Sequence, residues 1–452
     1  MNTLKNYIQN HKTKAATLAA FRVLFGVLML VSLIRFVSMD WVEQFYIKPK
    51  WHFTYYGFEW VKTLGVYTYA LFALAMLACV GIILGFKYRI SMILFFLSFT
   101  YIELIDKTTY LNHYYFVSIM SFLLCFLPLN ATFSLDAKNR GLAYAFVPSW
   151  TVDSIKLLLG IVYFYAGLAK LNSDWLFRAQ PLKIWLSTKT DLPLVGGFMN
   201  QTWFHYAMSW SGAIYDLTIP FLLLIRKTRP FAFVAVVVFH IFTRILFNIG
   251  MFPYIMICAT LIFFDSSLHE KFINGLKKVL KISAKSTVLT KELYTYKRPK
   301  NILFIISLFF VIQLFLPFRN LCYPGELFWT EQGFRFSWRV MLMEKVGYTT
   351  FYVKDSVSGK QFYVDNTDFL TSFQIKQMSF QPDFILEYAH LLGDHFKSQG
   401  HQNIQIFAKS YVALNGRLNQ LFIDPKIDLY QQKEGFHNKT WILPLNDEIK
   451  GF

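Results

Sequence analysis

A lysine, Lys170, closes the apolar run 161-IVYFYAGLAKLNSDW-175, which otherwise reads as a membrane span. Its ammonium has two possible uses. It can snorkel to the membrane surface and pair with Asp174 at i+4, or it can lose hydration, stand partly as the neutral amine and act as a base. Other polar groups also interrupt apolar runs: Asn112 and His113 open one, His240 and Arg244 lie one turn apart in another, Glu103, Asp106 and Lys107 close a third, and Asp216 sits inside a fourth. Ionisable groups in spans are costly and are functional candidates by default. Each also has a structural reading: His113 as an interfacial hydrogen-bonder, His240 with Arg244 as a pair within a bundle, Asp216 as a brace between helices. Tyr163, Gly167 and Lys170 share a helix face at i, i+4 and i+7, which suits close approach of a second helix.

The elements that must position these groups follow from composition. The chain has 452 residues, 55% hydrophobic and only 16% charged, with 49 Phe and 26 Tyr. A soluble domain carries about 25% charged residues, so this is an integral membrane protein. The net charge of +18 is spread in short clusters between apolar runs rather than gathered into one patch, which argues against nucleic acid as a partner and for membrane topology, with lipid as the surroundings. The first apolar run, Ala15 to Val37, is long enough to span and lacks a small-residue cleavage site, so it is expected to stay as an anchor. Four cysteines, three of them in apolar runs, encode neither a disulfide framework nor a metal site.

Reading apolar runs of about 20 residues as spans predicts about nine helices, at 15–37, 66–86, 88–105, 112–128, 152–171, 207–225, 231–247, 252–265 and 301–318. If they alternate, every basic connection falls on one side: Lys5, His11, Lys12 and Lys14; Lys87 and Arg89; Lys138 and Arg140; "RKTR" (226–229); and the loop Lys271 to Lys300. That side is cytoplasmic by the positive-inside rule. Lys170, Asn112, His113, His240 and Arg244 then meet near the opposite face, beneath the rest of the chain.

That remainder alternates polar and apolar residues in "TTFYVKDSVSGKQFYV" around a Ser-Gly turn and again in "NIQIFAKSYVALNGR", with a helical stretch near 378–398. The predicted architecture is therefore an all-α membrane bundle, residues 1–318, followed by a β-rich extracytoplasmic α+β domain, residues 319–452. Within it, "WTEQGFRFSW" (329–338) places Trp329, Phe334, Arg335 and Trp338 where the bundle meets the tail, with Arg339 following. Aromatic groups there can seat an extended peptide, and Arg335 or Arg339 can pair with a substrate carboxylate; the plain alternative is ordinary core and surface.

The stretches "FRVLFGVLM" (21–29), "GFKYRIS" (85–91), "DKTTYLNHYY" (106–115), "YAGLAKLNSDW" (165–175), "FNIGMFPYIM" (247–256), "QLFLPFRN" (313–320) and "IDPKIDL" (423–429) resemble the vitamin K-dependent γ-glutamyl carboxylase family, in the same order and at similar spacing. The membrane part of that family is also known as the horizontally transferred transmembrane domain. The resemblance implies a nine-span enzyme that couples oxygenation of a reduced naphthoquinone, vitamin K hydroquinone or menaquinol, to carboxylation of glutamate in a polypeptide outside the cytoplasm, with O2 and CO2 as co-substrates and no metal. It places Lys170 at the family's catalytic base and His113, after Asn112, at a histidine needed for carboxylation. Asn112, His240 and Arg244, on the same side, are the candidates for binding or supporting the quinone. A carboxylase of this kind needs a dry pocket, because water quenches both a strong base and a carbanion.

The chain departs from the family at Ala169, where the family has a second lysine, and at Phe334, where it has a tyrosine. It lacks the family's lumenal disulfide and, ending soon after "WILPL" (441–445), the long C-terminal extension of the animal enzyme. These features point to a bacterial inner membrane. Two other readings stay open: a quinol oxygenase that does not carboxylate protein, and a non-catalytic binding or transport protein on the same scaffold.

Overall fold

Unbroken runs of Leu, Phe, Ile, Val and Ala become helices because a helix satisfies its backbone groups internally, which lipid demands. In the computed structural model, which describes residues 11–281 and 287–451, they form α1 (Ala16–Ser38), α2 (Thr68–Leu84), α3 (Tyr88–Ile105), α4 (Asn112–Leu124), α5 (Ser149–Leu168), α6 (Thr202–Leu224), α7 (Arg229–Leu246), α8 (Phe252–Thr260), α9 (Ser266–Val279) and α10 (Pro299–Phe315). Lys5 lies outside the described residues. Seven helices among the described residues are long and apolar enough to cross a bilayer: α1, α3, α5, α6 and α7, with α2 extended to Gly65–Leu84 and α10 to Pro299–Cys322.

Two of the nine expected spans are shorter than their apolar runs. The run at 112–128 yields α4, only 13 residues, or about 20 Å at 1.5 Å per residue. The chain leaves the helix ahead of Pro128, as residues before proline avoid the helical region. The run at 252–265 yields the 9-residue α8 and a single turn, Leu261–Phe263, before a 116° bend into α9. Helix α9 is amphipathic: Ile273 packs on Ala19 and Ala20 of α1, while Lys277 and Lys278 lie in its last turn. A helix of that pattern lies along a surface rather than crossing it.

The basic connections do gather at one end. A small sheet ties them together: β1 (Lys12–Lys14) runs antiparallel to β2 (Leu142–Pro148), which runs parallel to β3 (Val288–Leu293). Beside it, Asp136 accepts the backbone N–H groups of Lys87 (2.7 Å) and Tyr88 (3.0 Å), and the buried Arg22 guanidinium donates to the Phe133 carbonyl. Gly85 has φ +60° and sits so close to Arg22 that an added Cβ would lie 1.6 Å from Nη1. Two of the sequence stretches singled out above, 21–29 and 85–91, thus meet in one knot.

At the other end stands the tail. Its sheet has the order β5-β4-β6-β7, built from β4 (Lys345–Asp355), β5 (Gln361–Tyr363), β6 (Ile404–Leu414) and β7 (Gln420–Leu421). β4 and β6 pair antiparallel from Lys345↔Leu414 to Asp355↔Ile404, and alternate residues such as Phe351, Val353, Ile406 and Ala408 are buried against α11 (Pro382–Ser398). The tail core does not stop at the bundle; it takes in Trp175, Leu182, Ala213 and Leu246 from the helix ends.

Candidate functional site

Helices α5 and α6 touch at Gly167, where an added Cβ would lie 2.7 Å from the Leu217 backbone nitrogen. Only glycine permits that approach, and it brings Asp216 to Lys170. The lysine Nζ lies 2.7 Å from Asp216 Oδ2 and 3.0 Å from the Ala166 carbonyl oxygen. Both side chains are 7% exposed. Two of the three N–H positions on the nitrogen are thereby engaged. In the neutral amine those two N–H groups keep the same acceptors, and the lone pair takes the third tetrahedral direction. A proton arriving there makes an ammonium beside a carboxylate.

Asp174 is not the partner that the i+4 spacing suggests. The α5 helix ends at Leu168, and Asn172 caps a new helix, Ser173–Arg178, by accepting from Trp175 N, so the two residues do not share one helix face. The Asp174 carboxylate instead receives Arg417 Nη1 and Nη2, each at 2.7 Å, and Asn415 Nδ2 at 2.8 Å. It ties the bundle to the tail. Asp216, expected as a brace, is both brace and lysine partner.

Two turns before Lys170, the Tyr163 hydroxyl lies 3.1 Å from His240 Nε2. The other ring nitrogen of His240, Nδ1, is buried without a hydrogen-bond partner among the described residues. The His240 ring packs on Phe252 (centroids 5.8 Å apart), which packs on His113 (5.7 Å). The two short helices therefore meet at their N-terminal ends, His113 on α4 and Phe252 on α8. Arg244 stands one turn past His240, partly buried, and makes no ion pair among the described residues. No hydrogen bond or ring contact among the described residues joins Lys170 directly to His113. Asn112 faces elsewhere, accepting from the Tyr110 hydroxyl (3.1 Å) and donating to the Arg339 carbonyl (3.3 Å).

The segment 329–338 bridges bundle and tail. Trp329 is buried in the tail core and donates from Nε1 to the Leu443 carbonyl (2.7 Å). Phe334 packs on Phe328, whereas Trp338 is buried in the bundle against Tyr115 and Phe116. Glu331, Phe336, Trp338 and Met341 have φ of 56°, 62°, 61° and 53°, a left-handed conformation that costs non-glycine residues free energy and collects at functional sites. Arg335 is committed internally: Nη1 lies 2.8 Å from Asp383 Oδ2, and Nη2 donates to Gln381. Lys107 Nζ joins the same cluster, 3.0 Å from Asp383 and 2.9 Å from Glu387. Burial opposes ionisation of Asp383, but Arg335 and Lys107 outweigh it and hold its carboxyl far below the usual range. Arg335 and Lys107 are thus both engaged with tail carboxylates.

The HTTM domain matches residues 10–267, and the vitamin K-dependent gamma-carboxylase lumenal domain matches residues 298–448. The chain belongs to the vitamin K-dependent gamma-carboxylase family. No solved structure matches it. As a family member it is an integral membrane protein, its bundle the HTTM domain and its tail the lumenal-type domain, and the family implies use of vitamin K hydroquinone, O2 and CO2. The residues present suit such a ligand: His240 Nδ1, buried without a hydrogen-bond partner among the described residues, can bond a ring oxygen, and the rings of Phe252, Phe239 and Tyr215 pack around it. Sequence reasoning missed Tyr163 as the partner of His240, although its place on the Lys170 face was the available signal.

Proposed function

We propose that this protein is a membrane carboxylase that couples oxygenation of a reduced naphthoquinone to γ-carboxylation of peptidyl glutamate. The observation that carries the reading is the buried Lys170–Asp216 pair, with the Tyr163–His240 contact two turns earlier along α5. The naphthoquinol supplies the reducing power that, with O2, yields a base strong enough for a glutamate γ-proton. Lys170 takes the proton of a quinol hydroxyl at Nζ, and Asp216 stabilises the ammonium that results. His240 orients the ring through Nδ1 while Tyr163 fixes its tautomer. His113, among Tyr114 and Phe252, donates to charge developing at the CO2 end, and the aromatic surroundings exclude water.

The polypeptide lies along 329–338, with Trp329, Phe334 and Trp338 shaping the seat. Because Arg335 is engaged with Asp383, Arg244 is the better receiver of the substrate carboxylate. The same observation favours one second reading, a quinol oxygenase that does not carboxylate protein. In either case α4 and α8 complete nine crossings, the N-terminus is cytoplasmic, and the division at about residue 318 separates the bundle from an extracytoplasmic tail in a bacterial inner membrane.

The test is mass spectrometry of the purified full chain given reduced menaquinone, bicarbonate and a Glu-rich peptide, scoring quinone epoxide and carboxylated peptide separately. The Lys170→Ala variant is expected to lose both products, by roughly a hundredfold or more as for removal of a general base. His113→Ala should keep part of the epoxidation and lose more of the carboxylation. Wild-type epoxidation in well-folded Lys170→Ala would sink the proposal, and epoxide without carboxylated peptide from the unmodified chain would select the oxygenase reading.

A further inference from the structure

Two carboxylates at the end of α3, Glu103 and Asp106, make no ion pair among the described residues; Asp106 is satisfied by the Thr108 N–H and hydroxyl and by Gln374 Nε2. Asp174, Asp216, Asp383 and Glu387 each hold an arginine or a lysine. Glu103, in the last turn of α3, accepts a hydrogen bond from the Ser118 hydroxyl, which in turn accepts from Thr100 Oγ1 at 3.1 Å. Glu103 lines a cavity of about 30 Å³ whose other walls include Tyr55, Tyr110, Tyr114, Tyr115 and Phe336. The Phe336 ring, on the strained segment, contacts Tyr110 at 5.1 Å and Tyr115 at 4.9 Å.

We infer that this recess binds a primary ammonium group, carried by the polypeptide substrate as a lysine side chain. A carboxylate supplies the counter-charge and the tyrosine rings supply cation–π attraction, the combination that recognises organic cations; the Phe336 ring is already occupied by the Arg319 guanidinium, 5.8 Å from its centroid. A hard metal ion would need about six oxygen ligands, more than one carboxylate and a few hydroxyls give. The small volume suits –NH3+ and excludes a guanidinium or a quaternary ammonium. Tyr114 lies against His113 with ring centroids 4.5 Å apart, so a lysine seated here would hold the polypeptide over the carboxylation end of the site. The assignment of lysine rests on the proposed polypeptide seat; the ammonium site itself does not.

The experiment is calorimetric titration of the detergent-solubilised full chain with methylammonium chloride at constant ionic strength, using sodium and tetramethylammonium chlorides as competitors. Saturable methylammonium binding is expected, weakened roughly tenfold in Glu103→Gln by loss of a charge-assisted contact and unaffected by either competitor. Ser118→Ala, which frees the carboxylate from its hydroxyl donor, should also change the affinity and serves if Glu103→Gln does not fold. A Glu-containing peptide with one lysine should then bind roughly tenfold better than its norleucine counterpart, and equally to it in Glu103→Gln. Absent or Glu103-independent binding, or displacement by sodium, would overturn the site. Methylammonium binding without any carboxylated product would fail the proposed function and leave the ammonium site standing.

Discussion

The sequence offers Asp174 as the partner of Lys170 and Asp216 as a helix brace, and geometry assigns them different work. Asp174, four residues on, anchors Arg417 of the tail; Asp216, on another helix, holds the lysine. Replacing each by asparagine should therefore separate turnover from stability. Asp216→Asn is expected to keep the fold and lower epoxidation roughly a hundredfold, because the ammonium formed on proton transfer loses its counter-charge in a site shielded from water. Asp174→Asn is expected to lower stability by about 1–3 kcal/mol, since a buried arginine loses a bidentate partner, with turnover of the folded fraction little changed. Asp447 also reaches Arg417 at 2.8 Å, which limits the cost. Thermal unfolding and epoxide yield measured side by side decide it, and the reverse pattern would return Asp174 to the role of lysine partner.

Among the elements, the decisive contact is α5 against α6. Glycine stands at both 160 and 167 on α5, but an added Cβ meets only Pro220 Cβ at 3.8 Å at the first and the Leu217 backbone at 2.7 Å at the second. Gly160→Ala should be neutral or stabilise by about 0.5–1 kcal/mol through helix propensity. Gly167→Ala should force the helices apart, lengthen the Lys170–Asp216 contact and abolish most epoxidation while both helices still form. Equal activity of the two variants would show that this close approach does not position the lysine. The short α4 and α8 belong to the same scale: their N-terminal ends bring His113 and Phe252 together, which longer continuous spans would have had to achieve through kinks.

Across the whole molecule, charge and packing divide the labour between two ends. Strands β1 to β3 join three connections at the basic end, and the Lys107–Asp383–Arg335 cluster and the Asp174–Arg417 pair fasten the tail to the opposite end. If the basic end is cytoplasmic, the exposed turn at Ser358 faces outward. A Ser358→Cys variant made in a Cys322→Ser background should be labelled by a membrane-impermeant thiol reagent applied from outside the cytoplasm. Labelling only from the cytoplasmic side would invert the topology and with it the proposed location of the polypeptide.

The amino-acid sequence by itself determined what depends on neighbours along the chain. Apolar run length marked the long helices, alternation marked the β4–β5 hairpin and β6, and spacing at i, i+4 and i+7 marked the face on which Gly167 and Lys170 lie. Collinear motifs carried the family. What only the tertiary structure decided is which distant groups meet. Asp216 reaches Lys170 across 46 residues and Tyr163 reaches His240 across 77. Arg335, expected to face a substrate, is taken by Asp383 across 48, and Glu103, without an ion pair among the described residues, lies at the edge of a tyrosine-lined recess. Periodicity tells a side chain which face of its own helix it occupies; the partner on that face is set by how closely two backbones can approach, and that depends on the packing of the whole bundle.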